Sequence, residues 1–206
     1  MDIQMFPGLT EEVCDKAFDI TSTAFKTAGL MEVTNRTAGT LVVVNPLASP
    51  SSSDPSKVGL DEVEEHLVFS RRIDLRHLMA RKFDEIALTK ARDIWVLRSL
   101  LGPNFSGLDI QVRFPHLYVP GMTKWHGGIC EGGVPVAFSG VQGHYDEAAA
   151  RTFITWAIAI CRNSMARVME SDSAFIAGSE AEFMPDPTLT ATLPATLPLL
   201  GNRGTK

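Results

Sequence analysis

The sequence predicts an α+β fold in which a mostly antiparallel sheet packs against helices. Three observations predict it: β-branched runs typical of strands, apolar residues at helical spacing, and the order helix, two strands, helix, strands, helix. No alternation of strands and helices that would build a parallel sheet is visible. The length of 206 residues suits a single domain, which we place at residues 1–183, followed by a tail at 184–206.

The first half of this domain begins with a helix and continues with two strands. Thr10 can cap the helix and Gly29 can end it. The β-branched run at 41–44 predicts a strand, and the Pro- and Ser-rich stretch at 45–59 predicts a flexible loop. A second strand at 66–73 would pair with the first as an interrupted hairpin.

The second half contains the two longest predicted helices. Apolar spacing predicts a helix over 83–101, which the following Gly-Pro pair ends. The stretch 112–119 predicts an irregular strand or an extended lid, and 134–141 predicts a buried strand. A last helix begins near Asp146, and its apolar face is predicted to contain Phe153, Trp156, Ala157, Ile160 and Val168.

The composition excludes two classes of partner. Lys and Arg are scattered through a chain of net charge −5, whereas a nucleic-acid surface needs a basic stripe. No apolar run approaches the roughly 20 residues that span a bilayer, and the N-terminus lacks the basic and apolar regions of a secretory signal. The isolated Cys14, Cys130 and Cys161 form neither a metal motif nor a disulfide framework. We therefore expect a cytoplasmic protein with no nucleic-acid or membrane partner.

The common signatures of cofactor-dependent enzymes and of hydrolases are absent. The chain contains no GxGxxG, no GxxxxGK[ST] and no HExxH, and Ser139 lacks the leading glycine of GxSxG. His126, His144 and Asp146 have suitable side chains for a metal ion, but their spacing gives a metal site no support. We therefore predict chemistry that needs neither a metal nor a nucleotide.

The stretch from His126 to Gly140 is the best candidate for a ligand site. Gly127 and Gly128 give a turn without side-chain obstruction, and a strand ending at Ser139 leads to further glycines before the last helix. A glycine-lined strand edge that faces a helix start lets a flat or anionic ligand approach the backbone closely. His126 would act as a general acid/base or an axial ligand; alternatively, it hydrogen-bonds a carbonyl and fixes the turn.

Charged and polar side chains from two helices could join this site. Lys90 falls within an apolar helical stripe, so it either snorkels outward or enters the cleft, where it would hold a carboxylate or have a lowered pKa. Arg98 could bind a carboxylate as a fork or form a surface ion pair. His144 and Asp146 open the last helix, where Asp146 is a helix cap or part of a proton relay with His126.

Several motifs between Ile86 and Arg162 are similar to those of a known family. They are Lys90-Ala91-Arg92 with Leu97-Arg98, His126-Gly127-Gly128, Ser139-Gly140 and Asp146. In these motifs the chain resembles the GlcG/HbpS-like haem-degrading domain family, in its branch with a His-Gly-Gly motif. The resemblance implies a profilin-like or PAS-like antiparallel sheet flanked by helices, and a homo-oligomer. It also implies haem as a ligand, because some members bind haem and are associated with its degradation.

Departures from that family point to a different ligand. Where the branch has a histidine after the acidic residue, this chain has Glu147. The loop at 46–59, the stretch at 105–119 and the tail also look like additions. They fit a member recruited to another small molecule, such as a specialised metabolic intermediate.

We therefore predict a small-molecule-binding enzyme of specialised metabolite biosynthesis that acts on a flat or polyunsaturated intermediate. Proton transfer, isomerisation or cyclisation would suit the missing signatures, and Trp125 would pack on the ligand. The predicted catalytic residues are His126, Lys90 and Asp146, and the predicted ligand-binding residues are Arg98, Trp125, Gly127, Gly128, Ser139 and His144.

The alternatives are a haem-binding or haem-degrading protein and a non-enzymatic oligomeric adaptor. In the adaptor the Pro-, Thr- and Leu-rich tail, unable to pack its own core, would lie across a neighbouring subunit as a clamp.

Overall fold

The computed structural model of the chain describes residues 8–27, 38–73 and 80–169. The predicted tail, the predicted helix end at Gly29 and the side chain of Val168 lie outside the described part. Within these ranges, every helix falls short of the length and apolarity that a membrane span requires. The helices and strands, in chain order, are α1 (Glu11–Thr27), β1 (Gly39–Val44), α2 (Leu60–Glu65), β2 (Leu67–Ile73), α3 (Ala80–Leu101), β3 (Phe105–Ser106), α4 (Gly107–Arg113), β4 (Gly128–Glu131), β5 (Val134–Ser139) and α5 (Gly143–Met169).

The five strands form one antiparallel sheet in the order β2-β1-β5-β4-β3. β1 lies between β2 and β5, so Val42 is opposite Ser70 on one side and Ala137 on the other. This confirms the predicted α+β class: a single domain in which helices flank an antiparallel sheet. The predicted pairing of the first two strands is also confirmed, with α2 between them in the chain.

Helices cover both faces of the sheet. Leu41 and Val43 pack against α1 and α5, whereas Val42 and Val44 pack against α2 and α3. Because both faces are buried, the run at 41–44 is apolar at every position instead of alternating with polar residues. The β-branched run that predicted this strand therefore reflects its place inside the sheet.

Two predictions of local structure are wrong. The stretch 112–119, predicted as an irregular strand or an extended lid, contains the end of α4 and a 3₁₀ turn. α4 forms because Ser106 and Asp109 make a capping box, in which each side chain accepts a hydrogen bond from the other residue's backbone N–H. The second wrong prediction concerns Trp156, which was expected on the buried face of the last helix. Its side chain is 44% exposed, whereas that of Ala157 is buried. One residue along a helix turns the side chain by about 100°, which takes Trp156 away from the core.

Candidate functional site

A cavity of about 750 Å³ lies where the end of β5 meets the start of α5. α3 forms one wall, and the segment before β4 forms another. The volume falls within the roughly 300–1,000 Å³ that is usual for small-molecule sites. The cavity contains six of the predicted site residues: Lys90, Trp125, His126, Ser139, His144 and Asp146.

His126 is largely buried, and its ring is held by two groups of α5. Nδ1 lies 3.3 Å from Oε2 of Glu147, whose other oxygen accepts a hydrogen bond from Arg151 at 3.0 Å. The ring also packs on Gly143, where an added Cβ would lie 2.6 Å from Cδ2. The predicted relay pairs His126 with Asp146, but the structure places Glu147 beside the ring instead.

The two glycines after His126 allow close packing of protein against protein. Gly127 has φ +130°, and a Cβ there would lie 2.5 Å from Cβ of Asp146 and 2.8 Å from Nζ of Lys90. A Cβ on Gly128 would lie 2.7 Å from Cγ1 of Ile94. Both positions were predicted to let a ligand approach the backbone. The structure instead places side chains of α3 and α5 against them. The two glycines therefore allow these helices to pack closely against the segment that carries His126.

Lys90 and Asp146 form a buried ion pair beneath the cavity. Nζ donates hydrogen bonds to Oδ2 of Asp146 at 2.7 Å and to the carbonyl of Phe138 at 3.0 Å. The other Asp146 oxygen accepts the N–H of Val141 at 2.9 Å. Burial lowers the pKa of Lys90 and raises the pKa of Asp146, while their mutual attraction opposes both shifts. The pair joins α3 to the β5–α5 junction. The sequence left two orientations open for Lys90, outward to solvent or inward to the cleft, and the structure shows the inward one.

Three other predicted ligand-binding residues lie on the cavity wall. Ser139 is buried at the end of β5, and His144 is exposed in the first turn of α5, with its ring 4.3 Å from that of Tyr145. Trp125 is 53% exposed at the cavity edge, and Nζ of Lys124 lies 5.1 Å from the centre of its ring. A half-exposed indole beside a cavity offers a flat apolar surface to a ligand.

Arg98, predicted to bind a ligand carboxylate, lies away from this cavity. Its guanidinium donates to the carbonyls of Pro46, Ala48 and Gly133 at 2.8–3.0 Å. These bonds fasten the Pro- and Ser-rich loop and the β4–β5 turn to α3. Arg98 follows Lys90 by eight residues, which is about 12 Å along a helix, so the two side chains serve different ends of α3.

Asp93 is a buried carboxylate near the site that sequence reasoning missed. It accepts hydrogen bonds from Arg92 at 2.7 Å and from the N–H of Thr123 at 3.2 Å, which ties the segment carrying Trp125 to α3. It also lines a chamber of about 20 Å³, enough for one water molecule, that His126 shares. The sequence contains no local signal for this role, because a carboxylate in a helix is ordinary until its partners are known.

Burial raises the pKa of Asp93 to about 6, against the opposing effect of Arg92. A carboxyl whose pKa is higher in the folded protein binds its proton more tightly there. Its contribution to stability is therefore present below about pH 4, the usual unfolded pKa, and is lost as the pH rises through about 6.

We expect the free energy of unfolding, relative to that of Asp93→Asn, to fall by about 2–3 kcal/mol between pH 4 and pH 7. Urea unfolding of both proteins at several pH values in this range measures the difference. Parallel stability curves for the two proteins would contradict the raised pKa.

Among the described residues, no cluster of three or more His, Cys, Asp and Glu side chains could hold a metal ion. No family model, curated protein or solved structure matches the chain.

Proposed function

We propose that the protein is an enzyme that binds a flat or polyunsaturated organic intermediate in the 750 Å³ cavity. The reaction is a proton transfer, which leads to isomerisation or cyclisation of the ligand. The observation that carries the proposal is the contact between His126 and Glu147 at the wall of a cavity with apolar sides. An imidazole is the side chain that can both accept and return a proton near neutral pH.

The chemistry of this pair is that of a general base oriented by a carboxylate. Glu147 accepts the Nδ1–H of His126 and thereby selects the tautomer with a free Nε2 lone pair. Nε2 removes a proton from an acidic C–H of the ligand, and the electron pair delocalises over the conjugated system. Return of the proton to another carbon shifts the double bond, with no change in oxidation level.

Two further groups contribute to this step. Lys90 lines the cavity, so its ammonium can donate a hydrogen bond to a ligand oxygen on which negative charge develops, while Asp146 favours its charged form. The apolar wall formed by Phe83, Ile86 and Trp125 packs on the body of the ligand.

The His126→Ala variant is expected to lower turnover by about 10²- to 10⁴-fold, because the general base is removed. The reaction is followed without knowledge of the natural substrate. A panel of conjugated carbonyl compounds is incubated with the protein in D₂O, and deuterium incorporation into carbon is measured by mass spectrometry.

The matched control is His116→Ala, which removes an exposed imidazole outside the cavity and leaves exchange unchanged. Glu147→Gln is expected to give an intermediate rate because it weakens the orientation of the base. Equal exchange by native protein and His126→Ala would refute the role of this histidine.

Haem binding is the second candidate, and one observation favours it. A histidine that binds a metal usually donates its other ring N–H to a carboxylate, as His126 does to Glu147. The residues present therefore fit haem: His126 would hold the iron, and Phe83 and Trp125 would pack on the ring. Bound haem would supply redox chemistry. Titration with haemin decides: a shifted Soret band that His126→Ala abolishes supports this candidate, and an unshifted band excludes it.

We also propose that the protein is cytoplasmic and forms a homo-oligomer. The three cysteines are free thiols, which supports a reducing compartment. The exposed Trp156 on α5 supports an association surface. The mass of the purified protein in solution tests the oligomer, and deletion of residues 184–206 tests whether the tail acts as a clamp.

A further inference from the structure

We propose that the cavity selects an organic anion: a ligand with a flat apolar body and a carboxylate or similar group, which Lys82 and Lys124 bind at the cavity edge. This inference rests on the proposed function, since it names the chemical class of the ligand in the same cavity. Both lysines line the cavity and both are exposed.

Among the described residues that line the cavity, the charges are unbalanced in favour of cations. Three of these residues are lysines, and the one carboxylate among them, that of Asp146, is already paired with Lys90. Within the described part of the chain, neither Lys82 nor Lys124 is within salt-bridge distance of a carboxylate. The protein as a whole has a net charge of −5, so this local excess runs against its overall charge. A ligand anion would supply the missing counter-charge.

The position of Lys82 also defines the shape of the ligand. Lys82, Ile86 and Lys90 are four residues apart, so their side chains lie on one stripe of α3. The stripe runs about 12 Å from the exposed lysine, past an apolar side chain, to the buried lysine near His126. An elongated molecule along it would place its charged end at the edge and its apolar body beside Ile86.

Lys124 lines the cavity in the segment before β4, next to Trp125. Its ammonium lies 5.1 Å from the centre of the Trp125 ring, which keeps the charge next to the apolar surface on which the ligand body would pack. A flat anion can therefore contact the indole and the ammonium at the same time.

The experiment compares two fluorescent probes of similar shape and different charge. The anionic probe is 1-anilinonaphthalene-8-sulfonate, and the neutral probe is N-phenyl-1-naphthylamine. The native protein is expected to bind the anionic probe more tightly. The double variant Lys82→Gln, Lys124→Gln is expected to weaken binding of the anionic probe by about 5- to 10-fold, because two exposed charge contacts are lost. Binding of the neutral probe stays unchanged.

Two control variants locate the effect. Lys16→Gln removes an exposed lysine of α1 outside the cavity and leaves binding of both probes unchanged. Ile86→Trp fills part of the cavity and weakens binding of both probes.

The outcomes separate the two proposals. If the neutral probe binds and the lysine variants leave binding of the anionic probe unchanged, anion selection is wrong and the proposed cavity function stands. If neither probe binds the native protein, or Ile86→Trp has no effect on their binding, the cavity is not the site of a flat ligand and both proposals fail.

Discussion

Replacing Lys90 by methionine is expected to lower the free energy of unfolding by about 3–5 kcal/mol. The reason is that Asp146 would remain as a charged group in a buried place without its partner, which costs far more than the loss of an exposed ion pair. Methionine has a similar length and is apolar, so little packing is lost. Chemical denaturation at neutral pH, followed by tryptophan fluorescence and circular dichroism, measures the change.

Two comparisons isolate the buried charge. Lys16→Met breaks an exposed pair with Glu12 on α1 and is expected to change stability by less than about 1 kcal/mol. The double variant Lys90→Met, Asp146→Asn removes both charges and retains an acceptor for the N–H of Val141, so it should regain most of the lost stability. A single variant as stable as the native protein would mean that the pair is not desolvated.

The second large effect is expected at Gly127, where alanine should cost about 3–5 kcal/mol. At φ +130° an L-residue is strained, and the new Cβ would meet Cβ of Asp146 at 2.5 Å and the carbonyl oxygen of Phe138 at 3.1 Å. Relief of the overlap would separate β4 from α5 and disturb His126. The same denaturation experiment measures the loss.

Gly132 provides a control for a positive φ without a steric contact. It also has a positive φ, +58°, but a Cβ there would have no neighbour within 4 Å. Alanine at Gly132 therefore bears only the cost of the left-handed conformation, about 1–2 kcal/mol. Equal losses at the two positions would show that backbone conformation alone, and not the contact with Asp146 and Phe138, requires glycine at 127.

Much of the site could be predicted because its residues lie beside unusual local patterns. A histidine before two glycines and a lysine inside an apolar stripe both stand out in the sequence, and His126 and Lys90 line the same cavity. Glu147 and Asp93 do not stand out, because a carboxylate in a helix is ordinary until its partners are known. His126, which contacts Glu147, lies 21 residues before it in the chain. Thr123, whose N–H donates to Asp93, lies 30 residues after it.

Arg98 and the stretch 112–119 show the limit of local patterns. An arginine can bind a ligand, a carboxylate or a backbone carbonyl. The carbonyls that Arg98 binds are supplied only by the folded loop at 46–48 and the β4–β5 turn. The short helix α4 depends on a capping box between Ser106 and Asp109, two residues at the spacing typical of a helix N-terminus.

The sequence by itself determined the α+β class and the main helices and strands, because periodicity and β-branched runs follow from which faces each element buries. Tertiary structure alone decided which acid contacts His126, which way Lys90 points and whether a cavity forms. These features depend on contacts between α3, β5 and α5, and the Lys90–Asp146 pair joins residues 56 positions apart. No local pattern encodes such a distance, since it is fixed only when the sheet brings both helices to the same edge.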